Sequence, residues 1–198
     1  MLLIGGASGT GKTVIARQLG LHYGISWLQV DDLRLALLRS QVRLPEKTES
    51  LYLFQDRQAW QLSPEQFCQG LIAIGEVMSP AIEVVVENHV DTVAPIVIEG
   101  DAILPSLVVR PSIQQRMQNG QVRAVFLVEP DEKMLLANML VRGRGIEQFS
   151  EAEVRTEARA KWLYGQWLSQ EAQRHSLPVL EPRPWETLME RIEKAAKL

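Results

Sequence analysis

Short apolar runs alternate along the chain with longer stretches in which apolar residues recur at helical spacing. Residues 2–5, 26–30, 96–99, 122–128 and 178–180 read as strands. The first and third have no polar face, as expected of strands covered by helices on both sides. Helical patterns fill the gaps. One runs from 13 to 19, with Gly20 placed to help end it. A second runs from 32 to 40. Ser63-Pro64-Glu65-Gln66 is a capping box with proline at the first helical position. The long pattern it opens contains Pro80, which predicts a kink or a break near Ser79. A helix over 131–141 opens with acids at its positive end. Ser150-Glu151-Ala152-Glu153 is another capping box, starting a helix through about Gln173, and a last helix runs from Pro184 or Trp185 to the C-terminus. Strands and helices in this alternation predict an α/β fold on a parallel sheet.

Composition narrows the picture. The 198 residues suit one domain, and 46% hydrophobic with 23% charged residues is ordinary for a chain that buries a full core. Two stretches stand apart from the regular alternation: a mainly helical segment, 43–91, and a short one, 142–150, with glycines and arginines. They read as a substrate-binding region and a lid mounted on one core. A net charge of −3 provides no basic field for nucleic acid or an anionic membrane, so neither is expected as a partner. The single cysteine, Cys68, lies in an apolar helical stretch, reads as a small buried residue and fits a reducing compartment. Apolar stretches fall short of the roughly 20 residues of a membrane span. Met1-Leu2-Leu3-Ile4 runs into glycines with no positive segment before it. The expectation is a soluble, cytoplasmic protein.

The chemistry starts at Gly6-Ala7-Ser8-Gly9-Thr10-Gly11-Lys12-Thr13, which satisfies G-x-x-x-x-G-K-[ST] between a predicted strand and a predicted helix. Glycines there let the backbone take positive φ and approach phosphates without a Cβ in the way. The exposed N–H groups and the helix N-terminus form an anion nest. Lys12 is placed to bridge the β- and γ-phosphates of ATP, and the Thr13 hydroxyl to ligate Mg²⁺. All eight residues are candidates for holding the nucleotide.

Carboxylates follow at the ends of other strands, where ligands gather in an open parallel sheet. After the second strand come Asp31 and Asp32; one serves as a helix cap, for which Asp32 is better placed, and the other is free to act on a hydroxyl proton or on the metal's water. Arg34, one turn on, is placed for an anionic substrate or for solvent. After the third strand come Glu99, a candidate for the magnesium shell through water and for the substrate side, and Asp101, a candidate substrate contact or alternative base. Arg142 and Arg144, flanked by glycines, suit a lid that brings positive charge to a transferring phosphoryl group, and Arg155 and Arg159 can share that work. Tyr52, Phe54, Trp60 and Phe67 read as packing between helices. Glu87, Asn88 and His89 are polar residues of which one or more can face substrate, His89 reading as structural first.

Together, Gly-Gly-Ala-Ser-Gly-Thr-Gly-Lys-Thr, Val-Asp-Asp-Leu-Arg and Val-Ile-Glu-Gly-Asp-Ala-Ile-Leu-Pro resemble the small-molecule P-loop kinases. Within them the chain is most similar to the 2-phosphoglycerate kinase-like group, which shares its layout with zeta-toxin, gluconate and shikimate kinases. The resemblance implies a three-layer fold with a five-stranded parallel sheet in the order 2-3-1-4-5. It also implies ATP–Mg²⁺ as donor, and a small-molecule phosphate acceptor bound by the helices after the second strand. Asp31 then falls on the family's strand-2 acid, the base, and Arg34 on its substrate-contacting arginine. Asp101 departs from the phosphoglycerate pattern, because an acid there repels a phosphorylated acid. Two rivals stay in view. A 5′-hydroxyl polynucleotide kinase would bind oligonucleotides. An ATP-dependent switch or adaptor would bind ATP without turning over any small acceptor.

Overall fold

The computed structural model describes residues 1–40, 48–143 and 148–198. Five strands form one parallel sheet in the order β2-β3-β1-β4-β5: β1 Leu2–Gly6, β2 Ser26–Gln29, β3 Ile96–Gly100, β4 Arg123–Leu127 and β5 Val179–Leu180. In register, Leu3 stands beside Ile98 on one side and Ala124 on the other. Because side chains alternate across a strand, Leu2 and Ile4 face one layer of helices while Leu3 faces the other. On the first face they meet Ile15, Ala16 and Leu19 of α1 (Lys12–Tyr23) and Leu188, Ile192 and Ala196 of α8 (Leu188–Ala196). On the second, Leu3, Ile98 and Phe126 meet Met78 and Ile82 of α3 (Pro64–Asp91) and Tyr164 and Leu168 of α7 (Glu151–Arg174). The remaining helices are α2 (Val30–Arg39), α4 (Pro105–Val108), α5 (Pro111–Gln118) and α6 (Glu132–Arg142). This is the expected three-layer fold and strand order.

Several local expectations change. Helix α3 runs unbroken through Pro80. An internal proline costs about 3 kcal/mol. Each buried large apolar side chain contributes roughly 1.5–3 kcal/mol, and Ile74, Met78, Ile82 and Val86 are buried on either side of the proline, so packing outweighs the defect. The Ser79 hydroxyl donates to Gly75 O at 2.8 Å beside it. This helix also corrects the expectation about apolar length: it has 28 residues with a most apolar window of mean hydropathy 1.4, long and apolar enough to cross a membrane. It lies against α7, with Ile74, Met78, Ile82 and Val86 in the core and Val84 exposed on the other side. Helix α1 continues past Gly20 and is ended by Gly24, at φ 63°, whose N–H returns to Gly20 O. Gly20 sits mid-helix because Trp27 and Ile25 O pack close to it, leaving no room for a side chain.

Capping follows the sequence at two helices. Ser63 and Gln66 close a reciprocal box on α3, and Ser150 and Glu153 do so on α7. Helices α4 and α5, each opening on a proline, have no counterpart among the predicted elements. Between α2 and α3 the described residues form two 3₁₀ segments, Glu49–Tyr52 and Gln55–Gln61; the first part of the predicted helical region lies outside the described residues.

Candidate active site

The loop from Gly6 to Lys12 joins the end of β1, in the middle of the sheet, to the N-terminus of α1. Its glycines are needed in specific places. Gly6 has φ 144°, and a Cβ there would come 2.3 Å from Leu127 O on the neighbouring strand. Gly11, at φ 78°, forms the cap of α1, and a Cβ there would meet the Trp185 ring at 2.2 Å. The loop is braced from within and without: Thr10 Oγ1 donates to Ala7 O at 2.9 Å, and Asn138 Nδ2, from α6, to Gly9 O at 3.0 Å. Thr10 is therefore a strut of the loop. With no acid in its own first turn, α1 points its positive end at the loop's hollow, where Glu99 and Asp101 also stand.

Lys12 is 5% exposed. Its ammonium donates to Ala7 O at 2.9 Å and pairs with Asp101 Oδ1 at 2.8 Å. Asp101 also accepts from Ser8 Oγ at 2.9 Å, and its main-chain oxygen accepts from the Tyr164 hydroxyl. Burial alone would raise the Asp101 carboxyl, but Lys12, Lys161 and the hydrogen bonds from Lys12 and Ser8 hold it below its usual range. Glu99, buried at the end of β3, accepts from Thr13 Oγ1 at 2.7 Å. Burial pushes its carboxyl up, opposed by Lys12 and Thr13 and reinforced by Asp101 and Asp31. Thr13 and Glu99 thus present a hydroxyl and a carboxylate side by side, the hard oxygen donors a magnesium ion accepts.

Asp31 lies in the first turn of α2, which begins at Val30, two residues earlier than its pattern suggested. Both Asp31 and Asp32 are inside the helix, and neither caps it; the cap position is Gln29, without a side-chain bond. The Asp31 side chain is 60% exposed, so it keeps much of its water; partial burial at the cleft, then the Asp101 charge, raise its carboxyl, against the pull of Arg34, Lys12 and Lys161. Arg34 is held by three contacts. Its Nη1 donates to Leu51 O at 3.2 Å, its guanidinium lies 5.4 Å from the Phe54 ring centroid, and Nε stands 3.9 Å from Asp31 Oδ1.

Three cavities share this wall of the sheet. A small hollow is lined by Ser8, Lys12, Thr13, Asp31, Glu99, Asp101 and others, with Arg142 at its edge. It adjoins a cavity of about 190 Å³ bordered by Ser8, Asp31, Arg34, Asp101 and Lys161, with Phe54, Leu71 and Ile74 as apolar walls. Across the loop lies a larger cavity of about 630 Å³, between Gly11, Gln18, Asn138, Val141, Arg142 and Trp185. Asp31, Lys12 and Asp101 therefore converge as expected. Arg34 borders the middle cavity, while Glu99 turns to Thr13 and away from it.

Other expected residues stand elsewhere. Arg144 lies outside the described residues. Arg155 pairs with Glu151 at 2.6 Å and Arg159 with Glu132 at 2.5 Å, and both border a separate surface groove. Their acidic partners hold them at that groove, away from the phosphate loop. Glu87, Asn88 and His89 sit at the C-terminal end of α3, by the start of β3 and so at the opposite end of the sheet; His89 Nδ1 is 2.8 Å from Ala94 O, a local structural bond. Phe54, Trp60 and Phe67 pack as a cluster, whereas Tyr52 is exposed. Cys68 is buried, and burial lifts its thiol to about 11. Three residues escaped the sequence reading: Lys161, Asn138 and Trp185. None belongs to a local motif, and each reaches the site through long-range packing of its element.

No family model matches this chain, and no curated protein matches its sequence. Solved structures do match its fold. A shikimate kinase from Bacteroides thetaiotaomicron shares 14% identity over 100% of this chain and 98% of its own, with a TM-score of 0.50. Shikimate kinase from Acinetobacter baumannii, in complex with shikimate, shares 12% over 98% of this chain and 90% of its own, also at 0.50. A gluconokinase from Sinorhizobium meliloti 1021 matches at 14% identity over 99% of this chain and 90% of its own, with a TM-score of 0.45. What this chain has in common with the two shikimate kinases is the P-loop kinase fold.

Proposed function

We propose that the protein transfers the terminal phosphoryl group of ATP to a hydroxyl of a small molecule. One observation carries the reading: Lys12 and Thr13 of the phosphate loop and the carboxylate of Asp31 line one hollow, which adjoins a cavity of about 190 Å³. The kinases that share its fold support it.

The chain's own groups have balanced roles. The α1 N-terminus and the loop N–H groups hold the phosphates, with Lys12 on the transferring group. Asp31 takes the proton of the acceptor hydroxyl as its oxygen bonds to phosphorus. The bond from phosphorus to the bridging oxygen breaks, and that oxygen leaves with the electron pair on ADP. Asp31 is suited to this because its raised carboxyl is a stronger base than an ordinary aspartate once ionised. Thr13 and Glu99 are the residues that would hold Mg²⁺, directly and through water. Magnesium, when bound, neutralises charge on the β- and γ-phosphates. Arg142 borders both the hollow and the larger cavity and is placed to add positive charge from the lid side.

The reading stops at a small hydroxylated acceptor. The narrower kinship with 2-phosphoglycerate kinases gains no support from the matched structures, and the Asp101 carboxylate beside the cavity opposes a phosphorylated acid. Asp31→Asn should abolish transfer while Mg·ATP still binds. Full activity of that variant would overturn the base assignment. Tight ATP binding with no turnover across hydroxy acids, sugars and nucleosides would favour an adaptor instead.

A further inference from the structure

Lys12 answers to two anions. As the chain is folded, its ammonium is paired with Asp101 at 2.8 Å and hydrogen-bonded to Ala7 O at 2.9 Å. Any phosphate cradled by the loop makes a claim on the same ammonium, from the other side of the hollow. Asp101 has a second cation at hand. Lys161, on α7, borders the same cavity, with its side chain 10% exposed and its charge acting on Asp101. Lys161 is itself held in place. It pairs with Glu157, four residues earlier on the helix, whose other oxygen accepts from Trp60 Nε1 at 2.9 Å.

We propose that Asp101 competes with the nucleotide for Lys12, and that Lys161 is the positioning residue that retains the Asp101 carboxylate when Lys12 turns to phosphate. The inference rests on the kinase reading and adds an order of events to it. Nucleotide binding frees Asp101 Oδ1, the oxygen facing Lys12, while Ser8 keeps Oδ2. The carboxylate then accepts hydrogen bonds from hydroxyl groups in the cavity it borders. An acceptor rich in hydroxyl donors binds more tightly after the nucleotide than before it, and by linkage tightens nucleotide binding in return.

The test is binding of the magnesium complex of β,γ-imido ATP, followed by calorimetry. Adenosine, which has no phosphate to draw Lys12, serves as the control. Asp101→Asn removes the competitor and should bind the analogue about tenfold more tightly. Lys161→Met leaves Asp101 dependent on Lys12 and should bind it several-fold more weakly. In the Asp101→Asn background, Lys161→Met should have no further effect, because it acts through Asp101. Adenosine affinity should be the same throughout. Opposite signs from two substitutions in one cavity are not what loosened packing produces. If Asp101→Asn binds the analogue equally or more weakly with adenosine unchanged, or if the Lys161→Met effect persists in its background, the proposal is overturned. Should Asp101→Asn not fold, an unchanged affinity in Lys161→Met alone overturns it. Failure of the unaltered protein to bind the analogue would overturn the kinase reading itself, and this inference with it.

Discussion

The indole of Trp60 stacks on the ring of Phe149, with centroids 4.4 Å apart and planes 26° from parallel. Trp60 belongs to the same segment as Phe54, which lines the cavity beside Asp31 and Arg34. Phe149 stands near the end of the 142–150 stretch, just before the cap of α7. Arg57 adds to the join, its guanidinium 4.6 Å from the Phe149 ring centroid. The two regions that the sequence singled out as separate parts are thus tied to each other. Aromatic pairs of this kind contribute about 0.5–1.5 kcal/mol beyond burial. Urea unfolding of Trp60→Ala, Phe149→Ala and the double variant should show a coupling of that size. Strict additivity would mean that the stack holds nothing together.

Trp185 over Gly11 gives a second prediction. Gly11→Ala meets both a positive φ and the indole, so it should weaken Mg·ATP binding at least tenfold in a calorimetric titration. Adding Trp185→Ala relieves the collision but leaves the backbone cost, so recovery should be partial.

A third concerns pH. The Asp31 carboxyl is raised by loss of water and by Asp101, so it is protonated at higher pH than an ordinary aspartate. As the proposed base it must be ionised. The acid limb of kcat/KM should therefore lie above the usual carboxylate range, with activity lost as pH falls through it. In stability the same shift has the opposite sense: a raised carboxyl favours the folded state at low pH, and that contribution is lost as pH rises through the folded value. A pH–rate profile of the unaltered protein, with its acid limb at the ordinary aspartate position, would contradict this.

A fourth concerns Glu129, just beyond β4. Its carboxylate is 2% exposed, accepts from the Asp131 N–H at 3.1 Å and pairs with Arg183, which precedes the Pro184–Trp185 turn. Removing the cation strands a buried charge, so Arg183→Met should cost about 3 kcal/mol in denaturant unfolding. Glu129→Gln leaves the partly exposed Arg183 able to reach water and should cost less. Equal losses would show that the pair matters only through packing.

Much of this was legible beforehand for physical reasons. Apolar runs bounded by glycine, proline and acids located the five strands to within about two residues; β1 and β3 were the clearest, because a strand buried on both faces tolerates little polar interior, whereas β2 and β5 are only partly covered. The phosphate loop was readable because its glycines serve backbone geometry that no other residue adopts cheaply. Asp31 and Asp101 were readable because the carboxyl ends of parallel strands converge. The rest depends on distance in the chain. Gly20 and Gly24 are the same residue type, and only the fold shows that Gly24 takes the left-handed turn while Ile25 O and Trp27 close on Gly20. Pro80 looked like a breaker because the sequence shows its cost and hides the core that offsets it. Lys161 resembles any helical lysine until α7 is laid against the cavity bordered by Asp31, Arg34 and Asp101.

Helix α3 carries one more consequence, for the order in which the protein is made. Synthesis proceeds from the N-terminus, so α3 leaves the ribosome before β4 and before α7, against which it finally packs. Through that interval the apolar face of α3 has only part of its final cover, on a helix long and apolar enough to enter a bilayer. Early pairing of β1 with β3 gives that face its first native surface. Truncation before α7 should therefore yield a nascent chain held by chaperones or drawn to membranes, while the full-length chain covers one face of the same helix with its sheet and α7.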